Sequence, residues 1–177
     1  MSTPEPTPAD RALKRVLAVS RINGWSITLF AALCVVVTLV IGDLVGIGIG
    51  LMVVTSGVME VHGNRMLKKG DPAGLKWLVR SQLFLLTIML AYCASRLVSF
   101  DSDSALSNLT PDLEAALMGA GLEKGDILPL VHKMFLVLYG AVALTCLIYQ
   151  GGLALFYRGK TKLVTEALVA TAVRPTQ

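Results

Sequence analysis

Apolar residues do not alternate with polar ones along this 177-residue chain; they gather into four long runs, at 25–41, 44–61, 77–100 and roughly 134–157. A helix crossing a bilayer core needs about 20 apolar residues, and each run is close to that length. A lone strand in lipid would leave its backbone N–H and C=O groups unpaired, and runs without polar alternation are not barrel strands. All four runs therefore predict spanning helices.

The polar positions between the runs set the connections. Gly42 and Asp43 alone separate the first two, which predicts a tight antiparallel hairpin. The connection at 62–76 holds Arg65, Lys68, Lys69 and Lys76 beside the turn residues Gly70, Asp71, Pro72 and Gly74. The third, at 101–133, carries Asp101, Asp103, Asp112, Glu114, Glu123 and Asp126 against Lys124 and Lys133. It is too long for plain coil. Thr110 can cap a short helix with Pro111 at its first position, ending near Gly119 and Gly121, and Asp126 can start another with Pro129 in its first turn.

Lysine and arginine near the spans mark the cytoplasmic side. The N-terminal flank, the 62–76 connection and the tail with Arg158, Lys160 and Lys162 are all basic, which places both termini and the second loop inside. Four spans that start inside must end inside, so charge and parity agree. With no organellar signal, a bacterial inner membrane is the expected location.

Ahead of the first run, Leu13, Val16, Leu17 and Ser20 fall on one side of a helical wheel and Arg11, Lys14, Arg15 and Arg21 on the other. With Asp10 as N-cap and Asn23-Gly24 as a break, this predicts an interfacial helix whose basic face binds anionic lipids. Residues 1–9, with three prolines among them, read as disordered. The basic flank also resembles that of a signal peptide, but no small-x-small cleavage motif follows the run, so it is read as a retained helix.

The expected fold is thus an all-α integral membrane protein. It comprises a cytoplasmic tail at 1–24 with the interfacial amphipathic helix, a four-transmembrane-helix bundle at 25–157 with a partly helical external loop at 101–133, and a cytoplasmic tail at 158–177. Composition agrees: 54% hydrophobic residues and a mean hydropathy of +0.67 exceed what a soluble core of this size needs. The net charge of +4 sits beside the apolar runs, so it reads as topological and not as a nucleic-acid footprint.

Candidate chemistry is sparse. Cys34, Cys93 and Cys146 fall in three different runs without metal-ligand spacing and read as small hydrophobes. Asp101-Ser102-Asp103 opens like a calcium loop, but Ala105 and Leu106 stand where an oxygen ligand and a glycine are required. Asn108-Leu109-Thr110 is formally a glycosylation sequon. No catalytic fingerprint, cofactor motif or metal signature is found, and the expectation is a protein that is not an enzyme.

Gly46 and Gly50 form a GxxxG that Gly57 extends, a pattern for close helix packing either inside the hairpin or between copies of the chain. Glu60, Arg80, Gln82 and Gln150 are polar groups inside apolar runs, where such groups pair or line a path. Glu60 and Arg80 fall at similar depth near the inner ends of adjacent spans and are expected to pair, with His62 nearer water; the alternative is a head-group or small-anion site built on Arg80. Arg80 and Gln82 are separated by about 200° of helix and cannot both face one site. Near the outer end of the third span, Arg96 can snorkel or meet Asp101 or Asp103. Nothing ionisable lies near mid-membrane, which disfavours an ion-coupled transporter.

In outline, with a short first external loop, a longer second one and both ends inside, the chain is similar to small four-span proteins of the CD20-like type; the likeness is of topology, and no functional residue is carried over. The leading functional expectation is a scaffold, accessory subunit or regulator acting through helix packing on a membrane-protein partner or on further copies of itself. An oligomeric channel or small-solute transporter is the alternative, and an embedded enzyme is the third class.

Overall fold

The computed structural model describes residues 5, 7–99, 111–119 and 124–173. Among them the secondary structure is helical throughout: α1 (Pro8–Ile41), α2 (Leu44–Lys68), α3 (Ala73–Val98), α4 (Pro111–Gly119), α5 (Lys124–Gly159) and α6 (Thr161–Val173). Four helices are long and apolar enough to cross a membrane: α1, α2, α3 and the Ile127–Gly159 stretch of α5. The Asp101–Asp103 segment, the sequon at Asn108 and the Thr110 cap lie outside the described residues.

The N-terminal expectation is overturned. No separate interfacial helix precedes the first span; α1 is one helix of 34 residues, about 51 Å at the usual rise of about 1.5 Å per residue, and it carries the most apolar window of the four. It starts ahead of Asp10, at a capping box: the Thr7 hydroxyl accepts from the Asp10 N–H at 3.1 Å, and the Asp10 carboxylate accepts from the Thr7 N–H at 3.1 Å. Pro8 occupies the position where a missing N–H does no harm. Asn23-Gly24 does not break the helix, because both residues are buried against α2. A Cβ at Gly24 would sit 3.1 Å from Val61 Cγ2 and 3.3 Å from Glu60 Cβ, so the glycine serves close approach and not a turn.

The face expected to lie on lipid is covered by protein. Val16 is fully buried and clusters with Leu67, Leu75, Leu78, Tyr157, Val164 and Leu168, while Leu13 and Leu17 pack against that cluster. Arg11, Lys14, Arg15 and Arg21 stay exposed. The amphipathic pattern was real, but its apolar side has a protein partner.

At the hairpin, Gly42 adopts φ 79°, the left-handed conformation that ends α1, and its N–H returns to the carbonyls of Thr38 and Leu39. Asp43 then caps α2, accepting from the N–H groups of Val45 at 3.1 Å and Gly46 at 3.0 Å. The α2–α3 turn works similarly: Gly70 has φ 87°, and the Asp71 carboxylate accepts from the Ala73 N–H at 2.8 Å.

The chain divides into two compact units, Met1–Ile88 with Leu147–Gln177, and Met89–Cys146. In the first, α2 lies closely along α1. A Cβ at Gly50 would come within 2.5 Å of Val35 Cγ2, one at Gly46 within 2.6 Å of Thr38 Cγ2, and one at Gly57 would meet the Thr28 hydroxyl. Gly63 of α2 and Gly74 of α3 form a second crossing, each lying against the other's carbonyl oxygen. Helix α6, in what was read as a plain tail, packs on α1 through Val164, Ala167 and Leu168.

The second unit holds the remainder of α3 and α5 together with α4. Its aromatic cluster places Phe135 4.5 Å and Tyr92 6.0 Å from the Tyr139 ring. Arg96 lies over the Tyr92 ring at 5.9 Å and donates from Nε to the Tyr139 hydroxyl at 3.4 Å. Asp101 and Asp103, the partners considered from sequence, lie outside the described residues.

Candidate functional site: a buried polar layer

In the first unit, polar side chains converge from α1, α2, α3 and α5. Ser56, Glu60 and Asn64 recur every fourth residue on α2, so helical periodicity aligns them on one face. All three are buried, with Glu60 at 1% exposure. Ser20 and Asn23 present a matching polar face on α1, and both are buried as well.

Glu60 is the centre of the layer. Its Oε2 accepts from Asn23 Nδ2 at 2.7 Å, and its Oε1 accepts from the Tyr157 hydroxyl at 2.7 Å. The Tyr149 hydroxyl donates to Asn23 Oδ1 at 3.0 Å. The two bonds together orient the Asn23 amide, with its oxygen toward Tyr149 and its nitrogen toward Glu60. The chain of bonds ties α1, α2 and α5 around one carboxylate. Both bonds to Glu60 lie in a low-dielectric setting, which strengthens them.

One turn along, Asn64 Nδ2 donates to Ser20 Oγ at 2.6 Å and to the Leu17 carbonyl at 2.8 Å, and Ser20 Oγ donates to the Val16 carbonyl at 2.8 Å. On the other side, Ser56 Oγ donates to the Ser81 carbonyl at 2.9 Å and links α2 to α3. Gln82 is fully buried within side-chain reach of Glu60, yet neither end of its amide completes a well-formed hydrogen bond. Gln150 Oε1 is likewise buried without a partner.

The candidate residues from sequence therefore separate. Glu60, Gln82 and Gln150 are buried, whereas Arg80 is exposed and lines a groove with Asp71, Lys76 and Arg158. The expected Glu60–Arg80 pair does not form: the carboxylate has Asn23 and Tyr157 as partners. The two-residue offset that puts Gln82 inside puts Arg80 outside. His62 instead meets Trp77 edge to face at 5.3 Å between ring centroids.

Asn23, Asn64, Tyr149 and Tyr157 were missed as members of the layer. Asn23 reads from sequence as part of a helix break, and Asn64 and the tyrosines carry no reading there; the every-fourth-residue stripe of Ser56, Glu60 and Asn64 was the signal that could have found their partners. Among the described residues no group of three or more His, Cys, Asp or Glu side chains is placed to hold a metal ion, and the three cysteines are free thiols. Compared with family models, curated proteins and solved structures, the chain finds no match in any of the three.

Proposed function

We propose that this small, helical, hydrophobic protein is a four-span protein of a bacterial inner membrane, with both termini cytoplasmic, that acts through helix contacts as a scaffold, accessory subunit or regulator and not as an enzyme. The observation that carries this reading is the direction of the bonds in the polar layer. Glu60, the titratable side chain buried at its centre, is engaged on both oxygens by Asn23 and Tyr157 of neighbouring helices, which makes it a tie within the protein. A catalytic or conducting carboxylate would need a free side toward a substrate or a water path.

The apolar surface supports the same reading. Val36 and Val40 on α1 and Val137, Ile148 and Leu155 on α5 are well exposed, so these faces meet lipid or the helices of another protein. Basic residues on the N-terminal flank, the α2–α3 turn and the 158–162 segment favour the cytoplasmic placement.

Topology is tested with reporter fusions. Fusions after Gly70 and after the C-terminus should report cytoplasm, and fusions near Gly121 the outside; an outside signal at Gly70 overturns the threading. The contact role is tested by measuring the mass of the detergent-solubilised protein and its co-purifying partners. A stoichiometric membrane-protein partner supports the subunit reading, whereas a stable homo-oligomer that passes solutes in vesicles replaces it with the channel.

A further inference from the structure

Outside the polar layer, the first unit has a groove of about 690 Å³ between the start of α3, the end of α5 and the start of α6. Three cations line it: Lys76 and Arg80, one helical turn apart on α3, and Arg158 near the end of α5. Like charges four residues apart on a helix repel by a few tenths of a kcal/mol. No carboxylate among the described residues forms an ion pair with any of the three. Asp71, the acidic residue in the lining, is engaged in capping α3 through the Ala73 N–H. Thr161 and Thr165 of α6 also line it.

Beside Lys76 and Arg80 on the same helix, Leu75 and Val79 give the groove an apolar wall. Depth follows from the chain: Arg80 lies three residues past Trp77, where the third apolar run begins, and Arg158 directly follows Tyr157, where the fourth ends. The groove thus opens where hydrocarbon gives way to head groups.

From the three cations, which pair with no carboxylate among the described residues, and from this depth, we infer that the groove is a phosphate-binding site for an anionic phospholipid. The two guanidinium groups grip the phosphate and the Leu75–Val79 wall takes the first carbons of the lipid. Arginine suits this task because its planar fork offers paired donors to phosphate oxygens. A free phosphate ion has the same oxygens but no use for the apolar wall. The inference rests on the groove's charge and depth and stands whether or not the contact role proposed above is right.

The test uses the full-length protein in nanodiscs of phosphatidylcholine doped with phosphatidylglycerol, with retained lipid counted by native mass spectrometry. Phosphatidylglycerol should be retained in preference to phosphatidylcholine, and Arg80→Gln with Arg158→Gln should weaken that retention by about tenfold or more, since the loss of a single charge-assisted contact already costs about tenfold and two are removed. The pair Arg80→Lys and Arg158→Lys keeps charge but loses the fork, and should give an intermediate loss even if the glutamine variant folds poorly. Lys14→Gln with Arg15→Gln, on the exposed face of α1, should leave retention unchanged. Inorganic phosphate that competes with the lipid at millimolar concentration would make the source a soluble phosphate while keeping the phosphate site. Equal losses in the groove and α1 variants, or none in either, overturn the proposal, since attraction would then be a property of overall charge.

Discussion

Removing the Tyr157 hydroxyl isolates one bond of the buried layer. In Tyr157→Phe the ring stays in the apolar cluster with Val16 and Leu78, and what disappears is the donor 2.7 Å from Glu60 Oε1. A hydrogen bond contributes about 0.5–3 kcal/mol in water-soluble proteins, with bonds to charged groups at the upper end, and interhelical bonds in membranes contribute about 0.6–2 kcal/mol. Since the layer is buried at the end of the spans, the expected loss is about 1–3 kcal/mol. Glu60→Leu should cost more, about 2–6 kcal/mol, because it leaves both the Asn23 amide and the Tyr157 hydroxyl without an acceptor. Glu60→Gln should cost least: its oxygen can still accept from Asn23, and its NH2 can donate to a rotated Tyr157 hydroxyl, which both donates and accepts. Equilibrium unfolding in bicelles, followed by circular dichroism, ranks the three. The double variant Tyr157→Phe with Glu60→Leu should fall short of the summed single losses by about 0.5–3 kcal/mol, since the same bond is removed twice. Additive losses, or Tyr157→Phe at wild-type stability, would refute the assignment of Glu60 as a tie between helices.

The glycines of α2 should separate by what lies opposite them. Gly57→Ala forces a methyl against Thr28, whose backbone nitrogen would be 3.0 Å away, and should cost about 1–3 kcal/mol; Gly48→Ala meets nothing within 4 Å and should be neutral or slightly stabilising in the same unfolding assay. Val16→Ala opens a void in a cluster where Val16 is fully buried and should lower stability by about 1–3 kcal/mol in detergent and in vesicles alike. A loss of stability confined to vesicles would instead mean that Val16 faces lipid.

The four long apolar helices were legible because about 20 apolar residues in a row have one solution in lipid, and the hairpin turn because Gly42 and Asp43 each have a local job that needs no tertiary partner. The start of α1 was not legible, because Asn23-Gly24 carries the same signal whether a helix stops there or presses against another. Contacts decided it: α2 approaches to within the space of a missing Cβ at Gly24, and Glu60 gives the Asn23 amide an acceptor that a turn would forfeit. Helix α6 escaped notice for a related reason. Arg158, Lys160 and Lys162 marked the tail as a topological flank, yet Val164, Ala167 and Leu168 recur at helical spacing and become core only because α1 extends far enough to receive them.

The Glu60–Arg80 expectation fails for a reason that is itself readable. It rested on opposite charge and similar depth, whereas a helix also has phase. Counting from Ser56 in steps of four reaches Glu60 and Asn64; Ser56 bonds to α3, while Glu60 and Asn64 meet α1, where Asn23 and Ser20 supply the complementary donors and acceptors. On α3 the buried positions include Leu75, Leu78, Ser81, Gln82 and Leu85, a run at helical spacing that leaves Lys76 and Arg80 on the opposite side. Polar groups of the two stripes meet each other, and the cations of α3 face outward together. Phase thus divides one set of polar residues, alike in depth and composition, into an interior that ties helices and a groove lined by cations.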